Sequence, residues 1–166
     1  MPSTNTLIIV GLVAAYVLLT ISKPLDGLQL LRAGKFDRAV EWFRGRCERD
    51  PDRRDTYLFN MAQAQHRKGD LTGALQTLES IDISNREPAL KPFHYELLGR
   101  TLLLIENSDP GRIQTCFELA CTEENIRAYP ILLISKGHYE ARQGNIANAT
   151  RIASEFEASK LIRRDV

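Results

Sequence analysis

The stretch that decides the fold is AGKFDRAVEWF, residues 33–43, because its pattern returns twice further along the chain. The later copies are KGDLTGALQTL, residues 68–78, and QGNIANATRIA, residues 143–153. In each copy a glycine is followed two residues later by a large apolar residue and five residues later by an alanine. A pattern that returns at fixed offsets indicates a repeated structural unit.

The spacing of the copies gives the length of the unit. Gly34 and Gly69 are 35 residues apart, and so are Ala39 and Ala74. Gly144 follows Gly69 by 75 residues, which leaves room for a further unit with insertions. A small residue also stands seven positions before each of the three glycines: Gly27, Ala62 and Gly137. Periods of this length are typical of stacked helical repeats.

Local signals predict helices throughout the repeated region. Pro51 lies where one helix should stop and the next begin. Other prolines suit the first turn of a helix, and three polar residues after the turns suit helix N-caps. These positions are Pro24, Pro92 and Pro130 for the prolines, and Asp70, Asp109 and Asn145 for the caps. No segment alternates as a strand would, so the sequence predicts an all-α fold.

These features resemble the tetratricopeptide repeat (TPR), a unit of about 34 residues made of two antiparallel helices. The resemblance implies a small residue where the two helices approach, a glycine at the turn between them, and large apolar residues packed between units. It implies a right-handed α-solenoid of about four hairpins, in units of about residues 20–53, 55–88, 92–125 and 130–163. The third unit departs from the pattern: its turn, ENSDPGR, is two residues longer, and Ile113 replaces the small residue of the second helix.

The N-terminus has a different character. Residues 7–21, LIIVGLVAAYVLLTI, are uncharged, and no side chain from residue 2 to residue 22 carries a charge at neutral pH. As a helix, those 21 residues would span about 31 Å, close to the thickness of a bilayer core. The sequence therefore predicts a transmembrane anchor over residues 1–23, followed by the repeat domain over 24–166. A cleaved signal peptide or a buried soluble helix are the alternatives.

The orientation of this anchor follows from basic residues near its ends. Before the run there is no Lys or Arg, whereas Lys23, Arg32, Lys35 and Arg38 follow it. The positive-inside rule then favours a single-pass protein with its N-terminus outside and its repeat domain in the cytoplasm. The opposite orientation is the alternative, because Arg32 and the later residues belong to the folded domain.

Two small residues in the anchor, Gly11 and Ala15, are four positions apart and fit the pattern by which membrane helices pack closely. They would allow the anchor to contact other transmembrane helices. Small residues are also common in membrane helices that have no such partner.

Several functions find no support in the composition or the motifs. Lys and Arg number 22 against 21 Asp and Glu, so a net charge of +1 gives no case for a nucleic-acid partner. The three cysteines and three histidines lack the spacing of a metal site, and no nucleotide-binding or nucleophile motif is present. We expect no enzymatic activity, no cofactor and no metal.

The resemblance implies a binding groove instead. In TPR domains the first helix of each unit lines a concave groove that holds an extended peptide or a partner helix. Mapped onto this chain, the groove comprises Phe59, Gln63, His66 and Arg67 of the second unit, Phe93, Glu96 and Arg100 of the third, and Ile134, His138 and Arg142 of the fourth. This mixture of apolar and basic residues suits a protein segment that is partly acidic and partly apolar. As the alternative, these residues only pack between repeats.

The sequence thus leads to two functional hypotheses. In the first, the protein is a membrane-anchored adaptor or scaffold that binds a protein partner and localises or assembles it at the bilayer. In the second, it is a permanent accessory subunit of a larger membrane complex.

Overall fold

The computed structural model describes residues 26–85 and 88–162, and every regular element in these ranges is helical. The prediction of an all-α fold is therefore confirmed for the described residues. The α-helices are α1 (Gly27–Arg32), α2 (Phe36–Arg49), α3 (Arg54–Lys68), α4 (Leu71–Glu79), α5 (Lys91–Leu104), α6 (Pro110–Ala120), α7 (Glu123–Ala128), α8 (Leu132–Arg142) and α9 (Ile146–Ile162). Short 3₁₀ helices lie at Pro51–Arg53, Ile83–Asn85 and Pro88–Leu90.

The three repeated glycines are the turns between helices, as predicted. Gly34 joins α1 to α2, Gly69 joins α3 to α4, and Gly144 joins α8 to α9. Their φ angles are 71°, 90° and 79°, in the left-handed region that a residue with a Cβ rarely adopts. The glycine of the repeated pattern is therefore required by the backbone at each turn.

The turn between α5 and α6 is longer and uses a different residue. It runs over residues 105–109, and Asn107 has a φ of 60°. Asparagine is the non-glycine residue that tolerates this conformation best, because its short polar side chain can bond to nearby backbone. The predicted longer turn is confirmed, and Asn107 takes the left-handed position that glycine holds in the other three.

Close approach between paired helices explains other small residues. A Cβ added at Gly99 on α5 would lie 3.1 Å from the Cβ of Cys116 on α6. One added at Gly27 on α1 would lie 2.5 Å from the Trp42 ring and 2.7 Å from the Phe43 ring of α2. A Cβ would clash with the rings at Gly27 and would require Cys116 or Phe117 to shift at Gly99, so the paired helices approach closely at both positions.

The core runs along the stack of helices. Consecutive helices from α1 to α6 pack against one another, as do α7 with α8 and α8 with α9, and contacts also join α3 to α5 and α5 to α8. One buried cluster extends from α3 to α8 and includes Leu58, Leu78, Leu97, Leu102, Phe117 and Leu132. A smaller cluster, which includes Leu30, Leu31, Ala39, Phe43 and Ala64, joins α1 and α2 to α3. Phe43 thus packs toward the next helix pair, as expected.

The region between α6 and α8 differs from the sequence analysis. Residues 123–128 form an additional helix, α7, whose N-cap Thr122 accepts a hydrogen bond from the backbone N–H of Asn125. After it, the Tyr129 ring packs edge-on against Phe93 with their centroids 4.9 Å apart. The prediction that Pro130 lies in a first turn is wrong, because α8 begins only at Leu132, after α7 and its connection have ended.

The other local signals have mixed outcomes. Pro92 does lie in the first turn of α5, and Pro51 begins the 3₁₀ helix that separates α2 from α3. Asp70 and Asp109 are N-caps that accept hydrogen bonds from the backbone N–H groups of Gly73 and Gly111. Asn145 precedes α9, but its side-chain amide donates to Glu140.

The predicted anchor over residues 1–23, with Gly11 and Ala15, lies outside the described residues, and so does Pro24. Within residues 26–85 and 88–162, no helix combines the length and the apolar character that a membrane crossing requires. The anchor therefore stays a prediction from the sequence.

Candidate functional site

The candidate site is a row of three adjoining cavities along α3, α5, α8 and α9, which we call the trough. The first, of about 170 Å³, lies between α3 and α5 and is lined by Phe59, Gln63, His66, Arg67, Phe93, Glu96, Leu97 and Arg100. The second, of about 430 Å³, is lined by His66, Arg100, Leu103, Leu104, His138, Ala141 and Arg142. The third, of about 310 Å³, is lined by Leu133, Ile134, Gly137, His138, Ala149, Ala153, Phe156 and Glu157. The first two share His66 and Arg100, and the last two share His138.

The structure brings the ten predicted groove residues together. Seven of them line the first cavity, and the other three, Ile134, His138 and Arg142, line the second and third. Sequence reasoning missed Phe156, because only first helices were mapped and Phe156 lies on α9, the second helix of its pair. It also missed Ala141, which is small and sits beside Arg142. No local sequence signal marks either residue.

A hydrogen-bonded network gives the trough a fixed centre. The Nδ1 atom of His66 on α3 lies 3.0 Å from the hydroxyl oxygen of Thr101 on α5. That hydroxyl donates its one proton to the carbonyl oxygen of Leu97, 2.7 Å away. The hydroxyl must therefore accept from His66, which fixes the imidazole proton on Nδ1 and leaves a lone pair on Nε2. Thr101 is fully buried, so this geometry is held inside the packed core.

The network continues across α5 to α8. The Nη2 atom of Arg100 lies 3.3 Å from His66 Nε2, the position of a donor to the imidazole lone pair. Its Nη1 atom donates to the Glu96 carboxylate over 3.1 Å, and the Ser135 hydroxyl of α8 donates to the same carboxylate oxygen. One connected set of side chains thus links α3, α5 and α8 and holds the Arg100 guanidinium in place.

The electrostatic setting favours neutral His66. Burial lowers the pKa of its imidazole below 6.5, and the nearby guanidinium of Arg100 lowers this pKa further. The Glu96 carboxylate acts in the opposite direction with a smaller effect. A proton added at Nε2 would face the Arg100 guanidinium, so the same contact that orients the ring opposes its ionisation.

The second cavity has an unbalanced charge. Arg100 and Arg142 lie on its wall, and no acidic residue does among the described residues that line it. The carboxylate of Glu96 lies in the first cavity and is engaged with Arg100 and Ser135. Neither Arg67 nor Arg142 forms an ion pair with a described residue. The middle of the trough is therefore a cationic surface with apolar walls.

A larger cavity lies elsewhere and has groups of both charges on its wall. It measures about 580 Å³, lies between α6 and α8, and has Glu118, Lys136 and Glu140 on its wall. Cys121 also lines it, but burial raises the pKa of this thiol to about 11, so it stays protonated and is a poor nucleophile. Within residues 26–85 and 88–162, no cluster of three potential ligands for a metal ion is present.

Comparisons of the chain with protein-family models, with curated proteins and with solved structures found no match. The chemistry of the trough is therefore the basis for assigning a function. Its guanidinium groups can donate hydrogen bonds to an anion, while its leucine, isoleucine and phenylalanine side chains can contact an apolar group.

Proposed function

We propose that this protein is a membrane-tethered adaptor in which a TPR-like, right-handed solenoid of about four helical hairpins captures a segment of a protein partner in the trough. The N-terminal apolar run holds this assembly at the bilayer, with the repeat domain in the cytoplasm. The adaptor would localise its partner or assist its assembly at the membrane.

The repeat architecture has support from contacts between successive units. In a solenoid, equivalent residues of neighbouring repeats stack on one another. The hydrogen bond between His66 and Thr101 joins residues 35 positions apart, the same spacing as Gly34 and Gly69. Contacts of α3 with α5, and of α5 with α8, support a stack in which the first helices of three successive pairs are neighbours.

The observation that carries the binding function is the arrangement of the trough. Residues from three first helices line adjoining cavities, and the His66–Arg100–Glu96–Ser135 network holds their polar groups in position. A preformed polar centre within the trough favours binding, because few side chains must be ordered when the partner arrives. Catalysis lacks comparable support, since the hydroxyl beside the histidine, that of Thr101, is fully buried and donates its proton to the Leu97 carbonyl oxygen.

A permanent subunit of a larger membrane complex is the second candidate, and one observation favours it. Two isoleucines at the start of α8, three positions apart, are exposed: Ile131 and Ile134 retain 54% and 47% of their accessible surface. Exposed apolar residues that lie close together often mark a protein interface. In such a complex this surface would be covered at all times.

Detergent extraction followed by sizing separates the two candidates. A stable assembly of fixed stoichiometry indicates the subunit, whereas a protein whose partner exchanges on dilution indicates the adaptor. The double substitution Phe59→Ala with Arg100→Ala tests the trough itself. It should abolish partner recovery while the helical circular dichroism signal stays unchanged. Unchanged recovery would move the binding site to another surface.

A further inference from the structure

The second cavity combines two features that suit one kind of ligand group. The guanidinium of Arg100 comes from α5 and that of Arg142 from the last turn of α8, with His66 and His138 beside them. The Leu103 and Leu104 side chains form its apolar part. The described lining of this cavity contains no carboxylate, and Glu96 of the first cavity balances Arg100, so the counter-charge for Arg142 must come from solvent ions or from a ligand.

We propose that this cavity is a carboxylate-binding subsite that selects partner segments in which an Asp or Glu side chain lies next to an apolar residue. The inference rests on the proposed function, because it names the chemistry that the trough recognises. The Asp or Glu carboxylate would lie between Arg100 and Arg142, and the apolar neighbour would enter the third cavity.

Arg100 is suited to this role by the contacts that hold it. Glu96 engages its Nη1 atom and His66 engages its Nη2 atom, so the guanidinium plane is fixed before any ligand arrives. The remaining N–H groups of this guanidinium stay available, since Arg donates five hydrogen bonds. The rigid fork loses little side-chain entropy when it binds a carboxylate.

Arg142 supplies the net charge. Glu96 balances Arg100, whereas Arg142 forms no ion pair with any described residue and is exposed at the rim of the cavity. A ligand carboxylate that contacts both guanidinium groups is therefore balanced by one net positive charge. This matches a single ionised Asp or Glu side chain better than the double charge of a phosphate group.

Beyond His138 the trough becomes apolar. The third cavity is formed by Ile134, Gly137, Ala149, Ala153 and Phe156, with Glu157 as the acidic residue on its wall. Because His138 borders both cavities, the carboxylate and the apolar side chain would belong to nearby positions of one segment. Glu157 would disfavour a second carboxylate in this end of the trough.

The test is selection from an array of random peptides blocked at both ends, probed with the full 166-residue chain in mild detergent. Captured peptides should be enriched in an Asp or Glu beside an apolar residue. In the tightest of them, Glu→Gln or Asp→Asn should weaken binding about tenfold, the effect expected for a charge-assisted hydrogen bond. Arg142→Gln should cause a similar loss and remove the acidic enrichment. The matched control, Arg38→Gln at an exposed position of α2, should change neither the affinity nor the acidic enrichment.

Each other outcome has a defined meaning. Capture of acid-free peptides that Phe59→Ala weakens would overturn the carboxylate subsite and leave the groove function standing. Capture that requires a phosphoserine in the peptide would overturn the carboxylate subsite in favour of a phosphate ligand. Capture that requires a free C-terminal carboxylate, tested on a parallel array, would overturn it in favour of a chain terminus. If neither Phe59→Ala nor Arg142→Gln changes capture, the subsite and the proposed function both fail.

Discussion

The Nε2 atom of His66 and the Nη2 atom of Arg100 lie 3.3 Å apart, although the two residues are 34 positions apart in the chain. A neutral imidazole accepts a hydrogen bond there, whereas a protonated one would place two positive groups in contact. The contact sits at the boundary between two cavities of the trough. The charge state of His66 therefore affects the position of the Arg100 guanidinium in the candidate binding surface.

This relationship predicts a pH dependence of stability. Because the folded protein lowers the pKa of His66 below 6.5, the unfolded chain binds more protons between the two pKa values. The contribution of His66 to the free energy of unfolding should be constant above pH 6.5. It should fall as the pH drops from 6.5 through the pKa of His66 in the folded protein. Chemical denaturation at several pH values, with the His66 pKa measured by NMR, tests this expectation.

Two substitutions separate this effect from that of other titrating groups. His66→Gln should remove part of the slope of unfolding free energy against pH. Gln63→Ala, at a residue of the same trough whose side chain does not titrate, should keep the wild-type slope. Equal slopes in wild type and His66→Gln would show that the contact with Arg100 does not control ionisation.

Thr101→Val tests the other side of the same histidine. The change keeps the shape of a fully buried side chain but removes the hydroxyl that accepts from His66 and donates to Leu97. The free energy of unfolding should fall by about 1–3 kcal/mol, because the part-buried N–H of His66 loses its acceptor. Thr115→Val, at an exposed position of α6, is the control. Its free energy of unfolding should change by less than about 0.5 kcal/mol. Similar losses in both variants would rule out a special role for the Thr101 hydroxyl.

Glycine substitutions test the repeated turn. Gly69 has a φ of 90°, so Gly69→Ala should lower the free energy of unfolding by about 1–2 kcal/mol through backbone strain alone. Gly45→Ala makes the same chemical change inside α2, where an added Cβ meets nothing within 4 Å. It should raise the free energy of unfolding by about 0.5–1 kcal/mol, because alanine favours helix. If both variants shift in the same direction, the left-handed turn is not what requires Gly69.

The predicted anchor is tested by fractionation. In alkaline carbonate the full chain should stay in the membrane pellet, since residues 2–22 contain no Asp, Glu, Lys, Arg or His. A chain shortened to begin at Pro24 should appear in the supernatant. Release of the full chain by carbonate would contradict a transmembrane anchor and return the segment to the soluble alternatives.

The sequence was sufficient for the elements that depend on local chemistry. The glycine turns and the caps Asp70 and Asp109 follow from backbone conformation and hydrogen bonding within a few residues. Helix α7 was not predicted, since six residues are too few to show a period of 3.6. Asn107 was missed at the left-handed turn because its conformation is permitted rather than demanded by its side chain.

The candidate site was predictable in membership but not in geometry. The register of the repeat selects the face on which Phe59, His66 and Arg100 lie, so their proximity follows from the period. The hydrogen bond from His66 to Thr101 does not follow from it, because it depends on the side-chain directions and separation of α3 and α5. The same holds for the Ser135 contact with Glu96, whose offset of 39 positions reflects the added length before α8.

Site-specific photocrosslinking in the native membrane tests the central claim, that the trough binds a protein partner, most directly. A crosslinking side chain placed at Gln63 or His138 lies in the trough, whereas one at Gln76 or Thr115 lies on exposed faces of α4 and α6. If the trough binds a protein partner, both trough positions should crosslink to one and the same protein, identified by mass spectrometry, and the two outer positions should not. Crosslinks to a partner only from Gln76 or Thr115 would contradict it.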